Sequence, residues 1–240
     1  MIIDIDSRES IQSGVEQLSG GWFNPGELYA CLKTDKKTTS SDFWNKSTHM
    51  LADISCYLGC PQDQFLSAWD RRCISSDTKF MGYHCTCHSD KKAFLKKGIL
   101  PLSEETVRLS ENVIQAVHGK ALWDYRSQHS PGPWFLLSYK CAKKPDNHFC
   151  LKGPEILSAC TGHHVGVDPA TSIPMIIHCA IPYLYLSEKN YFAFCLFRAY
   201  FNFIDPESDS DDLFDGYSID LRGQALDPNH IIEIEEIKQI

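Results

Sequence analysis

The chain has 240 residues, 43% of them hydrophobic and 12% aromatic, with a formal net charge of −8. That length and composition belong to a globular protein able to bury a full core, and no apolar run reaches the eighteen or more residues of a membrane span. The acidic balance disfavours nonspecific coating of nucleic acid. Acids in Met1–Glu9 stand where a secretory signal needs basic and then long apolar stretches. The expectation is a cytoplasmic protein with no membrane partner.

In chain order, the first 75 or so residues read as helical and polar. Asp42–Leu58 carries Phe43, Trp44, Met50, Leu51, Ile54 and Tyr57 at helical spacing, and Pro61 opens a second helix toward Trp69. The polar stretch between Lys33 and Ser41 reads as an exposed loop. From Lys79 onward, short apolar runs separated by turns indicate a mixed α/β core. The strands expected are Lys79–Thr86, Trp134–Cys141, Pro174–Tyr185, Tyr191–Phe203 and a last one near Gln224–Leu226 or Ile231–Ile237. Pro174–Tyr185 and Tyr191–Phe203 read as a long antiparallel hairpin, since their aromatic and β-branched residues suit central strands. The organisation expected is therefore a helical region over 1–75 and an α/β (α+β) domain over 76–240.

Charge is unevenly spread. Asp205, Glu207, Asp209, Asp211, Asp212 and Asp215 make one acidic loop, read as solvated, whereas Lys91, Lys92, Lys96, Lys97, Lys140, Lys143, Lys144 and Lys152 gather in the middle third. Between Ser89 and Gly98 a short helix is expected. A step of about 100° per residue puts Phe94, Leu95 and Ile99 on a packing arc and Lys92, Lys96 and Lys97 on a basic one. Such a face attracts phosphate-bearing ligands or is simply solvated.

The eleven cysteines are odd in number and irregularly spaced, which reads as reduced intracellular thiols serving as small apolar residues. His84-Cys85-Thr86-Cys87-His88 invites a zinc site, with further ligands among Cys141, His148, Cys150, Cys160, His163, His164, His178 and Cys179. No Cys-x-x-Cys pair occurs, and strand alternation sends Cys85 and Cys87 to one face and His84 and His88 to the other. No metal is expected. Gly-x-Gly-x-x-Gly, the P-loop, Gly-x-Ser-x-Gly and His-Glu-x-x-His are absent, which removes the commonest dinucleotide, NTPase, hydrolase and zincin readings.

Three stretches in order carry a different chemistry: Tyr83-His84-Cys85-Thr86 with its helix and Gly98 break; Gly132-Pro133-Trp134-Phe135-Leu136-Leu137-Ser138-Tyr139; and Lys152-Gly153-Pro154-Glu155. With the proline-led ending Ala225-Leu226-Asp227-Pro228, they resemble the ADP-ribosyltransferase fold, bacterial toxin and effector enzymes in particular, over roughly residues 79 to 240. The resemblance implies split antiparallel sheets holding NAD, as substrate, in a cleft. It implies Glu155 and His84 as catalytic residues, with Tyr83, His84, Cys85, Thr86, Trp134, Ser138 and Tyr139 contacting NAD. The carboxylate would stabilise the oxocarbenium-like ribose formed as nicotinamide leaves. His84 would donate a hydrogen bond to the other ribose, an aromatic ring would stack on nicotinamide, and Ser138 would orient the glutamate.

Gly153 stands where protein-modifying members usually carry Glu or Gln, two positions before the catalytic glutamate. This shifts the expected acceptor toward nucleic acid, RNA or DNA. A toxin, whether of a toxin–antitoxin pair or of antiviral defense, also implies an inhibitory antitoxin or chaperone. The alternatives are a non-catalytic interaction module of the same fold and a Cys/His zinc-binding protein. For Glu155 the structural alternative is a carboxylate at a helix N-terminus; for Tyr83, Trp134 and Tyr139 it is a place in the core.

Overall fold

The computed structural model describes residues 1–35, 47–103, 119–129, 131–144, 173–186, 189–204 and 218–237. It is a mixed helical and sheet protein that divides into two units. The first holds Met1–Phe80, Pro182–Leu184 and Glu188–Asp215; the second holds Met81–Ile181, Tyr185–Ser187 and Gly216–Ile240. Glu155, Lys152, Gly153 and the acidic loop 205–216 lie outside the described residues, as do His148, Cys150, Cys160, His163 and His164.

The first unit is built on helices α1 (Arg8–Ser19), α2 (Pro25–Asp35), α3 (Ser47–Tyr57) and α4 (Gln62–Ser75). Ser7 caps α1 by accepting from the Ser10 amide, and Ile11, Val15 and Leu18 recur at three- and four-residue spacing on its buried face. Strand β1 (Ile2–Ile3) pairs in parallel with Lys79 and Phe80. Lys189–Ile204, containing the segment read as a strand, is an α-helix of 16 residues, called α8 below in chain order. The hairpin expectation is thereby overturned. Phe192, Phe194, Leu196, Phe197, Ala199, Tyr200 and Phe201 are all buried, and a helix that is apolar all round has no periodicity to set it apart from a buried strand.

The second unit carries most of the sheet. Strand β2 (Lys79–His88) is followed by α5 (Lys92–Lys97) and α6 (Gly119–His129), then β3 (Trp134–Leu136) and the single-turn helix α7 (Tyr139–Ala142). Next come β4 (Ile173–Pro182), a 3-10 turn at Tyr183–Tyr185, β5 (Ser218–Asp220), a second 3-10 turn at Pro228–His230, and β6 (Ile231–Glu236). The strand order is β5-β3-β2-β4-β6, with β1 off this path on β2. Strands β2–β3, β3–β5 and β4–β6 run antiparallel. All the described strands belong to this one sheet.

Most strand expectations hold with altered limits: β2 runs on to His88, whereas β3 and β4 end earlier than expected, at Leu136 and Pro182. Trp134–Cys141 splits because Ser138 caps a new helix by accepting from the Cys141 amide, which stops the strand at Leu136. Leu95, expected to pack, is 55% exposed, whereas Ile99 is buried. None of the described cysteines forms a disulfide; Cys73, Cys87, Cys179 and Cys195 are buried. Among the described residues no helix is long and apolar enough to cross a membrane.

Candidate functional site

Strand alternation on β2 divides the expected site residues between two faces of the sheet. Tyr83 lies opposite Leu136 in the antiparallel register and is buried in a cluster with Ala142 and Ile176, against which Met81, Cys85, Leu136, Tyr139 and Ile237 pack. His84 takes the other face, its imidazole 5.5 Å from the Phe135 ring. Gly82 lets these strands close, since a Cβ there would sit 2.2 Å from Ile181 Cδ1 and 3.2 Å from Phe135 Cβ.

His84 is half-buried and pinned. Its Nδ1 stands 2.9 Å from the carbonyl oxygen of Trp134, and because a carbonyl only accepts, Nδ1 carries the proton. Burial pushes the ring's pKa below the ordinary histidine value, with the Trp134 carbonyl partly opposing it. The imidazole is therefore neutral at neutral pH, with Nε2 as an acceptor.

The other expected contacts separate by role. Thr86 is half-buried and shares His84's parity on β2. Cys85 directs its thiol at the Ala142 carbonyl, 3.9 Å away. Ser138 is buried and spends its hydroxyl on the cap of α7. Trp134 keeps 42% of its surface exposed.

Tyr139 belongs to a network the sequence did not reveal. Its hydroxyl donates to Glu235 Oε2 at 2.6 Å, His178 Nε2 approaches the same oxygen at 3.2 Å, and Lys143 Nζ lies 3.4 Å from Oε1. The rings of Tyr83, Tyr139 and His178 lie mutually 5.2 to 5.3 Å apart, and Lys143 sits 5.0 Å over the Tyr139 ring. Burial raises the Glu235 pKa, but hydrogen bonds from Tyr139 and His178 and the charge of Lys143 outweigh it and leave the carboxyl below its ordinary value. Tyr139 is shifted upward by burial and by its bond to Glu235. The group joins β6, β4 and α7 through one ionised carboxylate.

Glu235→Ala is expected to cost about 1 to 2 kcal/mol, because two donors on partly buried groups lose their acceptor. The sign with pH follows from the lowered carboxyl pKa. The stabilisation is present above the unfolded value and is lost as pH falls through the folded one. Urea titrations at pH 7 and pH 3.5 check this: the gap between wild type and variant should narrow at the lower pH, and an equal gap at both would mean that the carboxylate's charge is not what stabilises.

Among the described residues no group of three or more His, Cys, Asp or Glu side chains is arranged to hold a metal ion. Compared with family models, curated proteins and solved structures, the chain has no significant match in any of the three.

Proposed function

We propose that the chain is a toxin-like, NAD-dependent mono-ADP-ribosyltransferase acting on a macromolecule, with nucleic acid favoured as acceptor. The observation that carries this reading is the module around His84. A neutral, backbone-pinned histidine is presented on a sheet strand, and a short helix follows at once and closes at Gly98. In this reading Nε2 of His84 accepts from a ribose hydroxyl. Tyr83 is buried and Tyr139 is committed to Glu235, while Trp134 shares the parity of Leu136 and so lies on the Tyr83 face of the sheet, opposite to His84; no ring is assigned to nicotinamide.

In the reaction the bond between ribose C1′ and the nicotinamide nitrogen breaks, its electron pair leaving with nicotinamide. The acceptor's nucleophile bonds to C1′ and gives up its proton. Glu155 is assigned to stabilise the cationic sugar between these events. A toxin-like enzyme in the cytoplasm needs restraint, and an antitoxin or chaperone partner is part of the proposal.

Nicotinamide release from labelled NAD, with RNA, DNA or protein added separately, tests the reading. Wild type should release nicotinamide with one acceptor class. Glu155→Gln should lower turnover by a factor on the order of a hundred or more, and His84→Ala should raise the KM for NAD. Neither release nor NAD binding by the wild type would point instead to an interaction module.

A further inference from the structure

We infer that the exposed face of α5 is the seat of a single-stranded nucleic acid, held by Lys92, Lys96 and Lys97 on its phosphates and by Leu95 and Leu100 on its bases. The assignment of this strand as the acceptor rests on the transferase reading; the binding surface itself rests on geometry.

The lysines of this region are not treated alike. Lys91 is neutralised by Glu236 at 2.5 Å and Lys143 by Glu235 at 3.4 Å. Lys92, Lys96 and Lys97, all exposed, form no ion pair with any of the described residues. In a chain of net charge −8, three adjacent uncompensated cations on one short helix form a local field opposed to that of the whole protein, and an anionic partner is what it attracts.

Apolar surface is interleaved with this charge. Leu95 is 55% exposed and Leu100 42% exposed, although helical spacing alone would have packed Leu95 with Phe94 and Ile99. Phe94 instead is half-buried and meets the exposed His88 ring at 5.3 Å, edge on. Cations for a phosphate chain beside an exposed imidazole on which a base can stack are the ingredients of single-strand binding, and Leu95 and Leu100 add apolar surface against which bases can be covered. A duplex offers its bases only inside grooves, and a helix of six residues, about 9 Å long, is too short to fill one.

The helix is held rigidly in place for this task. Its C-terminal residue is followed by Gly98 and by the two backbone hydrogen bonds between Ile99 and Leu226, and it packs on the Pro228–His230 turn. His84 stands four residues before His88 on β2, about 13 Å along an extended strand.

The test is fluorescence anisotropy of a labelled 12-nucleotide single strand, as RNA and as DNA, between 50 and 200 mM KCl, with the full chain and its Lys92→Ala/Lys96→Ala/Lys97→Ala and Leu95→Ser variants. Three phosphate contacts predict a slope of log K against log salt of about −2 for the wild type. The triple variant should flatten that slope to near zero and weaken binding about tenfold or more at 50 mM, while Leu95→Ser should weaken binding without changing the slope. A tighter RNA or DNA arm names the natural strand.

Absence of wild-type binding, an unchanged slope in the triple variant, or tighter lysine-dependent binding of a Glu-rich amphipathic peptide would each overturn the inference, the last in favour of a protein partner. Nicotinamide release on the same preparations separates the two readings. Lysine-dependent strand binding without any NAD turnover sinks the transferase and leaves the surface standing, whereas turnover with lysine-independent binding sinks the surface alone.

Discussion

Phe197→Ala is expected to destabilise the first unit by about 3 to 5 kcal/mol, the range for removing a fully buried aromatic ring. Phe197 has no exposed surface. Its ring centre lies 4.7 Å from that of Trp69, 5.9 Å from Phe65, 6.0 Å from Phe201 and 6.2 Å from Phe23. It is therefore the ring through which α8 grips α4 and the Phe23 segment. Alanine would leave a cavity walled by rigid rings, which collapse poorly around a void. Aromatic pairs add about 0.5 to 1.5 kcal/mol beyond the area they bury. Equilibrium urea unfolding followed by tryptophan fluorescence measures the loss, with Phe197→Leu as the volume-sparing control. A loss below about 1 kcal/mol for alanine, or equal losses for both variants, would mean that this cluster is not the core of the unit.

The same residue explains why its element was illegible in the sequence. Lys189–Ile204 buries every face, so neither the 3.6-residue nor the 2-residue period is imprinted on it, and aromatic content alone favoured a strand. Length was the better guide, since a run of 16 residues exceeds most strands. Elements with a contrast between faces were readable, as in α4 with Phe65, Trp69 and Cys73 on its buried side. The three-residue β5 gave no such signal beside an acidic run, and its position is set by pairing with β3.

The site was legible to the extent that its parts are local. His84 on a strand, the helix after it and the Gly98 break lie within fifteen residues and appear as expected. Glu235 was invisible because its partners are remote, Tyr139 by 96 positions and His178 by 57. The β4–β6 register, which sets Ile176 beside Glu235, brings His178 within reach, and Tyr139 comes from α7. Of the two places the sequence offers Tyr83, an NAD contact or the core, the structure shows it buried. Nothing in Tyr83-His84-Cys85-Thr86 says which parity faces the core until Leu136 is paired with Tyr83.

Gly98→Ala should cost about 3 to 4 kcal/mol, far more than the loss of an ordinary surface glycine. Gly98 adopts φ 73° and ψ −161°, a region essentially reserved for glycine because a Cβ collides there with the flanking peptide. Space is lacking as well. A Cβ built on this backbone would sit 1.9 Å from the Leu226 carbonyl oxygen and 3.0 Å from its carbon. That same oxygen accepts from the Ile99 amide at 2.9 Å, and Leu226 returns the bond to the Ile99 carbonyl at 2.9 Å. The clash is with backbone, so no rotamer change relieves it; the segment must move and break this bridge. Hydrogen exchange at the Ile99 and Leu226 amides should accelerate together in the variant. Accelerated exchange at Ile99 alone would show that the strain is absorbed within α5, leaving the C-terminal segment where it is.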